Sequence, residues 1–346
     1  MRPFRAILFS LFAAVHAVPL VGLEATSISP DRGPVAGGTE VTIRGSFPDA
    51  WNYGVMFGST WGAATTHVDE HTLVATTPAH FAGTVPITIF EYDRGVATEL
   101  TFTFEGRTED GFERVLLPVF TPPIRGALGS EFRTDFRALM VSGSWSEIYG
   151  LRTPCVPVCV EEPDAPYVLY SDDAEATPED VDRTGTPGAF LYLPKYDAES
   201  VSMTLRAYDT SRSAENFGTE IPIVRGGDFA TGQEPITLIG IPSDPRFRNT
   251  LRIYSLGDTG TTLAITIEGE LGLHIERVVA LPPQPDLFHP GYVELSNFPS
   301  GVGMLHVTIE VVVPPISTPI PPPDRWAFVS VTNNETQHIT LITPQP

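Results

Sequence analysis

Residues 40–44 alternate between polar and apolar: Val41 and Ile43 point one way, while Glu40, Thr42 and Arg44 point the other. The same period of two runs through residues 261–268, where Leu263, Ile265 and Ile267 share a face. It recurs in residues 303–313, where Leu305, Val307, Ile309, Val311 and Val313 lie opposite His306, Thr308 and Glu310. A period of two marks a half-buried strand, because successive side chains in extended backbone leave on opposite sides. Apolar runs at 114–120 (RVLLPVF), 131–141 (EFRTDFRALMV) and 234–241 (EPITLIGI) read as further strands. No apolar repeat at helical spacing follows the N-terminus. The 34 prolines and 30 glycines fall in no low-complexity tract, so they predict many turns between short strands. The predicted fold class is all-β: tandem immunoglobulin-like, antiparallel β-sandwich domains.

One stretch carries more than periodicity. Residues 28–47 read ISPDRGPVAGGTEVTIRGSF, a short strand, two turns built on Gly33-Pro34 and Gly37-Gly38, and a second strand. Such reversals need residues that tolerate positive φ or have φ preset. This stretch resembles the opening of an IPT/TIG domain, an immunoglobulin-like module, through Ile28, Pro30, Gly33, Gly37, Gly38, Thr39, Val41, Ile43 and Gly45. The resemblance continues through Val55, Met56, Phe57 and Gly58, then through residues 73–78 (LVATTP) and 83–89 (GTVPITI). It covers residues 24–105 and implies a fold more than an activity.

A polar stretch, 105–111 (EGRTEDG), reads as the linker out of that module. Beyond it the chain reads as a duplication. FRTDFRAL from Phe132 resembles FRNTLRIY from Phe247, 115 residues later, and each follows an apolar strand. Each copy closes with a strand, a polar turn and a proline-marked exit, at 205–222 and 328–344. The expected organisation is 1–17 leader, 24–105 first module, 112–230 first sandwich copy and 232–346 second copy. This part is similar to tandem β-sandwich domains of secreted bacterial proteins of unknown function, which share an F-R-T strand, a G-D-T turn (Gly257 to Thr259 here) and a V-S-V-x-[ND]-N segment (from Val329 here). That resemblance transfers no catalytic residue. Residues 313–323 (VPPISTPIPPP) read as an extended polyproline connector.

The N-terminus has the form of an export signal. Arg2 and Arg5 precede the apolar run 6–15, and Val15 and Ala17 set small residues for cleavage after Ala17. The run is too short to span a bilayer, and no later stretch reaches the length required. A secreted or cell-envelope location follows as the expectation, with no membrane span in the mature chain. The only cysteines, Cys155 and Cys159, are spaced for a small disulfide loop. The formal net charge of −21, with Lys195 the sole lysine, argues against nucleic-acid backbones and anionic membrane surfaces as partners.

Catalytic motifs are scarce. Gly143-Ser144-Trp145-Ser146 comes nearest to a nucleophile elbow but lacks the second glycine and a helix after it. His67 and His71 have a spacing that suits zinc only on a helix, and they fall in a strand-turn region. Asp172, Asp173, Glu175 and Asp180 lie in an acidic stretch that offers oxygen ligands for Ca²⁺, although it lacks the glycine and spacing of an EF-hand. No other cofactor is indicated. Trp51, Tyr53 and Trp61 cluster near the second strand of the first module, where aromatics either stack on a sugar ring or fill the core. The expected function is an exported, non-catalytic protein for binding, adhesion or envelope structure, with a protein or carbohydrate ligand. The competing reading is a secreted polysaccharide-active enzyme, or its accessory subunit, carrying this module. A spacer stabilised by calcium is a third.

Overall fold

A computed structural model describes residues 22–48, 52–92, 94–120, 124–151, 166–171, 188–211, 217–313 and 321–344. Residues 1–17, expected as a leader, Trp51, both cysteines, the four acidic Ca²⁺ candidates and residues 314–320 of the stretch expected as a polyproline connector lie outside these. The chain is all-β and divides into two compact units. The first takes residues up to 33, 38–78 and 83–103; the second takes 34–37, 79–82 and 104 onward.

The first unit is built from β1 (Glu24–Ser29), β2 (Arg32–Pro34), β3 (Glu40–Ser46), β4 (Tyr53–Phe57), β5 (Thr60–Trp61), β6 (Ala64–Asp69), β7 (Thr72–Thr76), β8 (Gly83–Glu91) and β9 (Arg94–Glu105). They form two sheets, β1-β3-β7-β6 and β2-β9-β8-β4-β5, with antiparallel pairing. The alternation read from the sequence is the burial pattern found. Val41 and Ile43 are fully buried, as are Val55, Phe57, Leu73, Ile87, Ile89 and Phe102 of the same unit. Each such side chain contributes roughly 1.5–3 kcal/mol by leaving water. The glycine pair before β3 is needed for its backbone: Gly37 and Gly38 have φ of 73° and 77°, a region costly to residues with a Cβ.

In the second unit the polar stretch 105–111 is not merely extended. It closes one helical turn, α1 (Thr108–Gly111), because the Asp110 carboxylate accepts the Arg107 backbone N–H at 3.0 Å. Residues 112–230 then form β10 (Phe112–Leu117), β11 (Ile124–Arg125), β12 (Glu131–Met140), β13 (Trp145–Ile148), β14 (Tyr167–Tyr170), β15 (Ala189–Pro194), β16 (Val201–Asp209) and β17 (Thr219–Ile221). One layer is the sheet β11-β12-β16-β17. The other consists of the ribbons β13-β14 and β10-β15, joined by a Tyr149–Tyr192 bridge. Val115, Leu117, Phe136, Leu169, Leu191 and Leu205 lie in the core between them.

Residues 232–346 form β18 (Ile236–Pro242), β19 (Phe247–Ser255), β20 (Thr261–Gly269), β21 (His274–Leu281), β22 (Gly291–Leu295), β23 (Met304–Val311), β24 (Arg325–Asn333) and β25 (Ile339–Ile342). They pair as β18-β23-β20-β21 and β22-β19-β24-β25. Leu263, Ile265, Ile267, Leu305, Val307 and Ile309 form one inner face, and Leu251, Ile253, Val329 and Val331 the other.

The registers of these two regions correspond. Phe132 faces Asp209 and Phe136 faces Leu205; Phe247 faces Asn333 and Leu251 faces Val329. Leu205 then faces Ile221, as Val329 faces Ile342. Even the turns agree: the N–H of Thr210 donates to Glu131, and that of Asn334 to Arg246. A third apolar cluster, dominated by aromatics, draws on both regions, with Phe112, Tyr149, Tyr192, Tyr254, Trp326 and Phe328 among its members. Phe81, from segment 79–82, sits in that cluster with its ring 4.8 Å from Phe112 and 5.0 Å from Tyr149.

Candidate functional site

The outer face of the five-stranded sheet in the first unit carries an aromatic platform. Along β4, Tyr53, Val55 and Phe57 turn inward while Gly54 and Met56 turn outward. The register sets Gly54 beside Phe90 of β8 and Met56 beside Trp61 of β5, so these four residues share one face. The Trp61 and Phe90 rings lie 4.7 Å apart at 53°, and Trp61 is 41% exposed. Glycine weakens a strand interior and marks close approach to the backbone. Here the approach is visible: a Cβ on Gly54 would come within 2.8 Å of the Trp61 ring, and one on Gly95 within 2.8 Å of the Phe90 ring. Both rings rest on backbone because no side chain stands beneath them.

Of the three aromatics singled out by sequence, Trp61 belongs to this surface. Tyr53 is buried, packed edge-on against Phe47 at 6.1 Å, with its hydroxyl donating to the Pro48 carbonyl; it serves the core. Trp51 falls outside the described residues. Phe90 escaped the sequence reading. The signal for it was the alternation of 87–90, which puts Ile87 and Ile89 inside and leaves an aromatic on the polar phase.

The candidates for reactive chemistry separate. The His67 ring lies 5.2 Å from Tyr53, while His71 is exposed, with Nδ1 3.2 Å from the Gly45 carbonyl oxygen. Among the described residues, no group of three or more His, Cys, Asp or Glu could hold a metal ion. An exposed row crosses three strands of the last sandwich. His306 Nε2 is 2.8 Å from Glu268, and His274 lies 3.2 Å from both Glu268 and Glu276. The bond to Glu276, then that to Glu268, holds the His274 pKa above its ordinary value, and His306 foremost holds Glu268 below its own. These are solvated ion pairs when the imidazoles are protonated, and small in energy.

One buried acid stands apart. Glu147 on β13 is 1% exposed, and its Oε1 has no hydrogen-bond partner. Its Oε2 accepts a long bond, 3.4 Å, from the Tyr149 hydroxyl, which also reaches the Ala79 carbonyl at 3.3 Å. Burial pushes its pKa to about 8, with the Asp197 carboxylate adding to the rise. At neutral pH this side chain is mostly a neutral acid.

With this geometry in place, comparison with known proteins identifies the first module. Residues 23–104 match the family model of the IPT/TIG domain. These residues are an IPT/TIG domain. An ankyrin and IPT/TIG repeat-containing protein of Schizosaccharomyces pombe is 33% identical over 135 residues, 38% of this chain and 11% of that protein. The chain therefore spans about a tenth of that relative's length. Among solved structures, the SGBP-B of a Bacteroides ovatus mixed-linkage glucan utilization locus, in complex with a mixed-linkage heptasaccharide, is 12% identical. That likeness covers 83% of this chain and 74% of that chain, with a TM-score of 0.20. An auxiliary nutrient binding protein of Bacteroides ovatus is 11% identical, over 94% and 98% of the two chains, at 0.22. InvD of Yersinia pseudotuberculosis is 10% identical, over 93% and 97%, at 0.18. The fold described above rests on its own sheets and registers, not on these likenesses. The Trp61–Phe90 platform lies on the outer sheet face of the IPT/TIG domain.

Proposed function

We propose that this chain is an exported, non-catalytic binding protein whose IPT/TIG domain presents the Trp61–Phe90 platform to a saccharide. The observation that carries the reading is the exposed Trp61 ring and the half-buried Phe90 ring beside it, laid on Gly54 and Gly95. One strand glycine makes room for each ring, Gly54 for Trp61 and Gly95 for Phe90, and together the rings form an apolar surface open to a ligand. A pyranose offers an apolar C–H face to such a ring, and stacking needs no reactive group. The export-type leader and the acidic, nearly lysine-free composition support a secreted or cell-envelope location. The matching registers support reading 112–230 and 232–346 as two copies of one sandwich that carry the domain.

A glycan array tests the proposal. The parent protein is expected to bind a defined subset of saccharides and to release no reducing sugar from them on long incubation. Trp61→Ala, with an unchanged melting temperature, is expected to bind about tenfold more weakly, the scale of a lost aromatic contact. Binding that survives this substitution intact would remove the platform from the account.

A further inference from the structure

The second unit holds another aromatic surface, on the β13-β14 ribbon. Trp145 stands directly opposite Tyr170 across the antiparallel pair, so the two side chains leave the same face about 5 Å apart. They are 37% and 51% exposed. Glu147 lies two residues along β13 and therefore shares their face. Tyr196, 58% exposed, comes from the turn after β15, the strand bridged to β13 through Tyr149 and Tyr192. Its hydroxyl lies by the Ala79 backbone, and desolvation, then the carboxyls of Glu147 and Asp197, raise its pKa. Asp197 is partly buried, and that burial raises its pKa; the nearby Ser146 hydroxyl works against the rise without making a well-aligned hydrogen bond. Two exposed rings thus pair on the ribbon face that also carries Glu147, and a third exposed ring, Tyr196, stands near Glu147 and beside Asp197.

We propose that Trp145, Tyr170 and Tyr196, with Asp197 at their edge, form a second binding surface for an uncharged saccharide. The rings supply faces for the apolar side of a sugar, and a carboxylate accepts hydrogen bonds from hydroxyls. The Asp197 carboxylate opposes uronic acids and sulfated sugars by like-charge repulsion. The surface shares no residue with the Trp61–Phe90 platform; only its ligand class rests on the reading given there.

Affinity electrophoresis separates the two. The full chain, Trp61→Ala and Trp145→Ala/Tyr170→Ala are run through gels containing starch, galactomannan, xylan or mixed-linkage glucan, with polygalacturonate as the anionic control. Circular dichroism confirms that each variant is folded. The proposal expects retardation of the parent by at least one neutral polymer and not by polygalacturonate, and about tenfold weaker retardation of the double variant. A double variant retarded like the parent in every gel would overturn it, whatever Trp61→Ala does, as would a parent held only by polygalacturonate or by no polymer. Loss confined to Trp61→Ala would uphold the first platform and discard this one; loss confined to the double variant would do the reverse. If the double variant fails to fold, Tyr170→Ala alone, at the exposed edge of the ribbon, carries the same comparison.

Discussion

Gly54 shows how much a single residue decides. In a strand it is a weak choice, and its value lies in what it omits. Valine there would strengthen the strand locally but push the Trp61 ring off the sheet, since even a Cβ would sit 2.8 Å from it. Gly54→Val is therefore expected to lower saccharide affinity as far as Trp61→Ala does, while its thermal midpoint falls by no more than a few degrees. Equal affinity for parent and variant would show that the ring's position does not matter. The sequence marked Trp51, Tyr53 and Trp61 as a cluster, but not which of Tyr53 and Trp61 faced water. Strand phase separates them: odd positions of β4 turn inward, and Trp61 belongs to a different, two-residue strand whose phase a run that short cannot display. Glu147 gave no signal at all, because an isolated glutamate beside a tryptophan reads as surface.

Glu147 also sets a pH dependence whose sign is fixed. The folded chain keeps a proton up to about pH 8, whereas the unfolded chain releases it near its ordinary value of 4.5. Between those values the native state binds more protons, so stability falls as pH rises. The full effect is on the order of 4–5 kcal/mol, at about 1.36 kcal/mol per pH unit. Glu147→Gln keeps an acceptor for Tyr149 and removes the titration. Denaturant melts at pH 5 and pH 8 should show the parent losing stability relative to this variant as pH rises. Parallel losses would mean that the acid is ionised in the native state.

At the scale of strands, alternation was a reliable guide where one face is dry. Leu263, Ile265 and Ile267, and Leu305, Val307 and Ile309, are buried as their period of two requires. It said less about β15, whose six residues are buried on both faces and show no alternation. The short ribbon β13-β14 was equally hard to read, since four residues show too few turns of the pattern to fix a partner. Ile309 tests the dry-face argument. It is fully buried on the central strand β23, paired with Ile236 on one side and Ile265 on the other. Ile309→Asp is expected to cost at least about 4 kcal/mol, the lost packing plus an unpaired buried charge. Thermal and far-UV profiles matching those of the parent would contradict this packing.

At the scale of the whole chain, the first module was legible because its glycines and prolines are set by backbone geometry and so recur at fixed spacing. The correspondence of residues 132–139 with 247–254 was visible only as a faint likeness. The registers add what the letters could not: the same strand pairs hold the same offsets, and one aromatic cluster draws on both regions. That cluster was illegible because its rings come from segments far apart in sequence, including Phe81. The central claim is that such a chain binds sugar and leaves it unchanged. Titration calorimetry of the full chain with the strongest-binding oligosaccharide from the array tests both halves at once. The account predicts a heat signal that saturates and then returns to baseline, greatly weakened in Trp61→Ala. A steady heat flow from continuing turnover, or an isotherm unaltered by the substitution, would contradict it.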